Sequence, residues 1–264
     1  MKEYELKVLT KEVTELARTV GYSIKQEINR VGDQDVQEKR SNDFVTYVDK
    51  ASEETIVQKL KALFPEAGFI TEEGTASEKK EYTWVIDPLD GTTNFIHGIP
   101  SYSVSIALRR KNKTVLGVVY EPNADDCFFS WEGQPAFLND REIKVTNFNT
   151  LSDSLIATGF PYEKGENMDN YLKLLKDILN KSHGIRRLGS AAVDLVYVAC
   201  GRFEAFYEIG LHSWDLAAGA FIVQQAGGKV TDFSGGDNFF FGKEILASNG
   251  HIHQEMLNAI KKTM

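Results

Sequence analysis

Residues 84–95 read WVIDPLDGTTNF, an apolar run that stops at one aspartate and delivers a second three residues later. TWVI is predicted to be a buried strand. Pro88 has no amide hydrogen for a sheet ladder, so the strand is expected to end at Asp87. The turn that follows should bring the Asp90 side chain back toward Asp87. Two carboxylates that close repel, and each raises the other's pKa unless a cation sits between them. An all-oxygen donor set without His or Cys selects Mg2+, Mn2+ or Ca2+ over zinc. Gly91 allows close backbone approach, and the amides at Gly91, Thr92 and Thr93 can form an anion-binding nest. A cation site beside an anion site is what metal-dependent phosphoryl chemistry requires. The bland alternative is a plain Asp-Pro turn followed by a helix-capping threonine.

Working outward, two other places put carboxylates at the end of a packed segment: Glu72 and Glu73 in ITEEG, and Asp215 in SWDLAAG. Asp215 taken alone reads equally as a helix cap. Together the three places point to one acidic constellation. His97 and His212 flank these motifs, and hard-metal chemistry makes them positioning residues rather than ligands. Arg186 and Arg187 could hold a second phosphate or a partner, or form a salt bridge at a subunit interface.

The remaining chain sets the frame. At 264 residues and 42% hydrophobic, it can bury a sizeable core. A net charge of −8 argues against nucleic acid or an anionic membrane as a general partner. Cys127 and Cys200 lie in apolar contexts, form no Cys-x-x-Cys pair, and read as core thiols. No run reaches the roughly 18 apolar residues of a membrane span, and the first twenty residues lack a signal-peptide core; a cytoplasmic protein is expected.

Apolar spacing predicts helices over 4–29 and 50–63, with a polar, mobile stretch between them up to Phe44. Short strands (GFITEEG, TWVIDP, SVSIALRR, TVLGVVYEP, CFFSW) follow, giving an N-terminal α+β half over 1–150 with a helix pair on a large antiparallel or mixed sheet. Residues 151–264 alternate strand and helix, a layered α/β half, and the two halves are expected to form one compact unit. FFFG at 239–242 reads as core or an edge strand.

The stretches TEEG, WVIDPLDGTTNFIHG, RRLGSAAVDLVYVACGRFEAFYE and GLHSWDLAAGAFIVQQAGG, with SNDFVTYVDKASE, resemble the inositol monophosphatase family, in order and over nearly the whole chain. The resemblance implies a five-layer α-β-α-β-α sandwich of the inositol monophosphatase/fructose-1,6-bisphosphatase type. It also implies a homodimer and a Mg2+-dependent, Li+-sensitive phosphatase with two to three Mg2+ ions per subunit. By position, Glu72, Asp87 and the Leu89 carbonyl would hold a first ion. Asp87, Asp90 and Asp215 would hold a second, and a third would sit near Glu72. Thr92 with Asp49 would orient and deprotonate the attacking water, the Gly91 and Thr92 amides would hold the phosphate, and Glu72 would assist. Asp90, Gly189, Ser190, Ala191, Glu208 and Asp215 match substrate-contacting positions. The family's lysine ahead of Asp43 has Lys39 as its nearest candidate, at a spacing one residue short of the commonest form, and the GTASEKKEY loop is short. The implied substrate is a small phosphate monoester, first of all myo-inositol monophosphate. NADP, fructose 1,6-bisphosphate, histidinol phosphate and 3′-phosphoadenosine 5′-phosphate are alternatives within the class, and protein docking in transcription is a further role.

Overall fold

The computed structural model describes residues 3–28, 30–31, 35–40, 43–161 and 168–264. The chain runs α1 (Glu3–Glu27), β1 (Gln37–Arg40), β2 (Asp43–Val45), α2 (Tyr47–Leu63), β3 (Gly68–Thr71), β4 (Ser77–Glu78), β5 (Tyr82–Asp90), α3 (Thr92–Ile96) and β6 (Ser103–Arg110). β7 (Lys113–Glu121), β8 (Asp126–Trp131), β9 (Ala136–Leu138) and β10 (Arg141–Ile143) complete the first sheet. Then come β11 (Leu155–Thr158), α4 (Met168–Lys181), β12 (Gly184–Arg186), α5 (Ala191–Ala199), β13 (Ala205–Ile209), α6 (Ser213–Gln225), β14 (Lys229–Thr231), α7 (Phe239–Gly242), β15 (Glu244–Ser248) and α8 (His253–Thr263).

The large sheet has the order β10-β9-β8-β7-β6-β5-β3-β4 and is antiparallel except where β3 runs parallel to β5. The second sheet, β12-β11-β13-β15-β14, is parallel across β12-β11-β13 and antiparallel beyond. Strand alternation sorts the apolar residues into three cores. Trp84, Ile86, Ile106 and Val118 face α1 and α2. Their neighbours Val85, Ala107 and Val119 face α5 and α6, which meet Ala157, Phe206 and Ala247 of the second sheet. The opposite face of that sheet, with Ile156, Tyr207 and Leu246, is covered by α4 and α8. The result is the expected five-layer α-β-α-β-α sandwich.

Local differences from the sequence reading have identifiable causes. α2 begins at Tyr47, not residue 50, because Thr46 and Asp49 form a capping box: the Val48 amide donates to Thr46 Oγ1, and the Thr46 amide donates to Asp49 Oδ2. Gln37–Arg40 and Asp43–Val45 pair as an antiparallel ribbon where a mobile polar stretch was expected. FFFG forms the short helix α7, with Phe240 buried and Phe241 exposed, rather than an edge strand. Cys127 is buried and Cys200 half-buried, and burial pushes the Cys127 thiol up to about 12.

Candidate active site

β5 does not stop at Asp87. It continues to Asp90 through a bulge: Asp87 pairs with Ser105 and Asp90 with Ser103, so Pro88 and Leu89 together oppose Val104. This corrects the expected strand end, and the bulge does what the turn was expected to do. In an even strand, residues three apart point to opposite faces. One extra residue resets the parity and brings Asp87 and Asp90 to the same side. Proline is tolerated there because the bulge needs no ladder donor from it. The Leu89 amide donates to Asp87 Oδ1 at 3.0 Å and sets that carboxylate.

Neighbouring elements add acids to the same face. The Glu72 amide donates to the Ile86 carbonyl at 3.2 Å, extending the β3–β5 register so that Glu72 lies beside Asp87. Asp215 sits in the first turn of α6 and accepts the His212 amide at 2.6 Å, so it is a helix cap and a member of the cluster at once. Carboxylate oxygens of Asp87, Asp90 and Asp215 lie within 4.8 Å of one another. They form the floor of a cleft of about 260 Å³ whose wall includes Glu72, Thr92, Phe160, Glu208 and Trp214.

Burial holds the Asp87 carboxyl well above the usual carboxylate range, and the charges of Glu72, Asp90 and Asp215 add to the effect. Asp215 is raised well above its ordinary value for the same reasons, burial first and then Asp90 and Glu72. Asp90 is raised less: burial acts against donation from the Ser190 hydroxyl and from the Ala192 amide at 2.7 Å. Glu208 is also raised by burial and by Asp215, with Arg187 opposing. A cation bound among these carboxylates would relieve that crowding. The donors are hard oxygens without sulfur or imidazole, so the residues fit Mg2+.

Thr92 follows Gly91, whose φ of +99° suits glycine, and a Cβ there would press on the carbonyls of Ser101 and Gly189. Thr92 Oγ1 lies 2.9 Å from Asp49 Oδ1 and 3.0 Å from the Leu89 carbonyl. Asp49 is fully buried, and its other oxygen accepts the Thr46 amide and hydroxyl at 2.8 and 2.7 Å. The hydroxyl is therefore aimed by an immobilised carboxylate.

The other residues named from the sequence fall around this centre. Gly189, Ser190 and Ala191 lie outside the cleft wall; Ser190 caps α5 and donates to Asp90. Glu208 lies in the wall, its carboxylate packed where a Cβ on Gly159 would be, 2.1 Å away. The His212 ring stacks on Trp214 at 4.7 Å, whereas His97 is exposed after α3. Arg187 is exposed yet its charge opposes the rise in the pKa of Asp90, Asp194 and Glu208. The side chains of Lys39 and Asp43 lie outside the described residues.

Three features escaped sequence reading. Glu53 is buried on α2 and hydrogen-bonded to the segment after Glu72; its position four residues beyond Asp49 on the buried stripe was the available signal. Asp194 is buried with Oδ1 unpartnered among the described residues, and burial raises its pKa well above the usual range, with the charges of Glu208 and Asp90 adding to it. Gly159 gives Glu208 its space, and nothing in LIATGFP marks that pairing.

Residues 5–264 match the model of the inositol monophosphatase family, and the chain belongs to that family of phosphatases. It is 43% identical over 251 residues to Nus factor SuhB of Pseudomonas aeruginosa, with 93% of each chain covered. It is 39% identical over 254 residues to an inositol-1-monophosphatase of Mesorhizobium japonicum, with 96% of each covered. The crystal structure of extragenic suppressor protein suhB from Bartonella henselae superposes with a TM-score of 0.92 at 39% identity, covering 97% of this chain and 100% of that one.

Proposed function

We propose that this family member hydrolyses a small phosphate monoester in a Mg2+-dependent reaction, most readily myo-inositol monophosphate to inositol and phosphate. The observation that carries the reading is the convergence of Asp87, Asp90 and Asp215 within 4.8 Å, beside Glu72 and the Thr92–Asp49 pair. Glu72, Asp87, Asp90, Asp215 and the Leu89 carbonyl are the residues that would hold two to three Mg2+ ions. Bound there, the ions would neutralise the acidic floor and supply Lewis-acid stabilisation to both oxygens of an in-line displacement.

The chain's own groups do the rest. Thr92 Oγ1 passes its proton toward Asp49 Oδ1 as it takes one from the attacking water, and Glu72, which lines the same cleft, orients that water. The Gly91 and Thr92 amides receive the phosphate. Glu208, with Asp90 and Asp215 in the cleft and Gly189, Ser190 and Ala191 beyond its wall, recognises the polyol; a carboxylate that accepts hydrogen bonds from hydroxyls favours an inositol ring over a base. The reading extends to a cytoplasmic homodimer.

Phosphate release with and without Mg2+ tests it, across myo-inositol 1-phosphate, 2′-AMP, NADP, fructose 1,6-bisphosphate, histidinol phosphate and 3′-phosphoadenosine 5′-phosphate. Preference for inositol phosphate supports the reading. Preference for another ester moves the substrate within the class, and release from none overturns it. A second role, protein docking in transcription, is favoured by relatives named Nus factor SuhB. It predicts that Asp87→Asn, with hydrolysis abolished, still co-purifies with its partner.

A further inference from the structure

Helix α2 carries two fully buried carboxylates one turn apart, Asp49 and Glu53. The i, i+4 spacing places them on one stripe, with Ile56 and Leu60 continuing it toward the large sheet. Asp49 reaches the Thr92 hydroxyl. Glu53 reaches a different loop: Oε2 accepts the Glu73 amide at 2.8 Å, and Oε1 accepts the Thr75 amide at 2.8 Å and its hydroxyl at 2.7 Å. A charge buried on an apolar stripe is costly unless its oxygens are satisfied. Here the satisfying donors come from the segment that immediately follows Glu72.

Glu72 is thus gripped from two sides. Its own amide is pinned to Ile86 on β5, and Glu73 and Thr75 just after it are anchored through Glu53 to α2. Gly74, with φ of +74°, makes the tight reversal between the two anchored amides, and Thr71 Oγ1 closes the loop on the Ala76 carbonyl at 3.2 Å. Glu53 lies outside the cleft wall and touches no part of the acidic floor.

We propose that Glu53 is a positioning residue: it fixes the Glu72 loop against α2, and so sets the divalent-cation affinity of the cleft without contacting ion or substrate. With Asp49 it makes α2 a rigid bar from which both the Glu72 loop and Thr92 are hung. The inference rests on the metal-dependent reading above.

Glu53→Gln preserves volume but turns an amide NH2 toward amide donors, and Thr75→Val removes the hydroxyl bond alone. Hydrogen–deuterium exchange on the metal-free proteins reads the clamp without catalysis. Protection at 72–76 is expected to fall in Glu53→Gln, and less in Thr75→Val, while α1 and β6 keep theirs. Calorimetric titration with Mn2+ reads affinity directly. Loss of an outer-shell partner of a metal ligand weakens binding about 10- to 100-fold, and a loss of about tenfold is expected for Glu53→Gln. In turnover, the Mg2+ concentration for half-activation should rise by a similar factor while the KM for inositol phosphate at saturating Mg2+ stays within about twofold. Unchanged exchange, or unchanged Mn2+ affinity with a raised KM, overturns the proposal. Absence of hydrolysis by the unsubstituted protein would overturn the phosphatase reading instead, and the exchange and Mn2+ experiments would still decide the role of Glu53.

Discussion

Asp87 and Thr92 divide the work of the site between charge and geometry. Asp87 is the most deeply placed acid of the cluster, raised first by burial and then by three neighbouring carboxylates. Asp87→Asn is expected to abolish turnover. In metal-free protein it should also raise Tm, by about 2–4 °C for each kcal/mol of repulsion removed, because a neutral amide replaces a crowded charge. Scanning calorimetry in chelator checks this, and an unchanged or lower Tm would contradict the crowding argument. Thr92→Ala leaves Asp49 capped by Thr46 but without a hydroxyl to aim. Turnover should fall about 10²-fold or more, the range of a lost proton-transfer group, with Mn2+ affinity unchanged. At this scale the acids of TEEG, DPLDG and SWDLAAG were legible because short motifs carry them. Glu53, Gly159 and Asp194 were not. Glu53 has only its spacing from Asp49 as a local mark, and Gly159 and Asp194 have none, since each matters through groups distant in sequence.

Among the elements, α2, β5 and β13 decide where the side chains point. Apolar spacing locates α2 but starts it three residues late, since a capping box is a matter of hydrogen bonds rather than hydropathy. Thr46→Ala should cost about 1 kcal/mol of stability through the lost cap. It should also lower kcat, because Asp49 loses the Thr46 hydroxyl that holds it, although the amide at position 46 still donates to it. Activity retained in full with the stability lost would separate the cap from the site. Pro88 implies an end of β5 at Asp87, yet proline at a bulge is compatible with a continuing strand, and periodicity cannot show which residue a partner strand skips. On β13, Glu208 shares the parity of Phe206 and so faces the central layer. Gly159→Ala would place a methyl group on its carboxylate; the tip of a flexible side chain moves more readily than backbone, so the fold should survive. KM for inositol phosphate should rise about tenfold, while an ester without ring hydroxyls is affected little. An equal loss for both would remove Glu208 from the specificity account.

In the whole molecule, the acids come together where the large sheet, the central helices and the second sheet meet. The layers follow from period-two alternation, so the fold class was readable once the strands were found. The loop geometry that turns Glu72, Thr92 and Asp215 toward one point was supplied by the family resemblance and the structure, not by hydropathy. The cluster also gives the molecule a pH dependence. Asp87, Asp90 and Asp215 all have folded-state values above their ordinary ones, so the stability they contribute is present below the usual carboxylate range near 4 and is lost as pH rises through the raised values. Metal-free protein should therefore lose Tm between mildly acidic and neutral pH, and Mg2+ should restore it at neutral pH. A Tm that is insensitive to Mg2+ at neutral pH would leave the repulsion unrelieved and the cation reading unsupported. The most direct test is phosphate release from myo-inositol 1-phosphate by the unsubstituted protein and by Asp87→Asn, each with Mg2+ and with chelator. Release confined to the unsubstituted protein with Mg2+ is the predicted result, and comparable release by Asp87→Asn, or in chelator, would contradict the account.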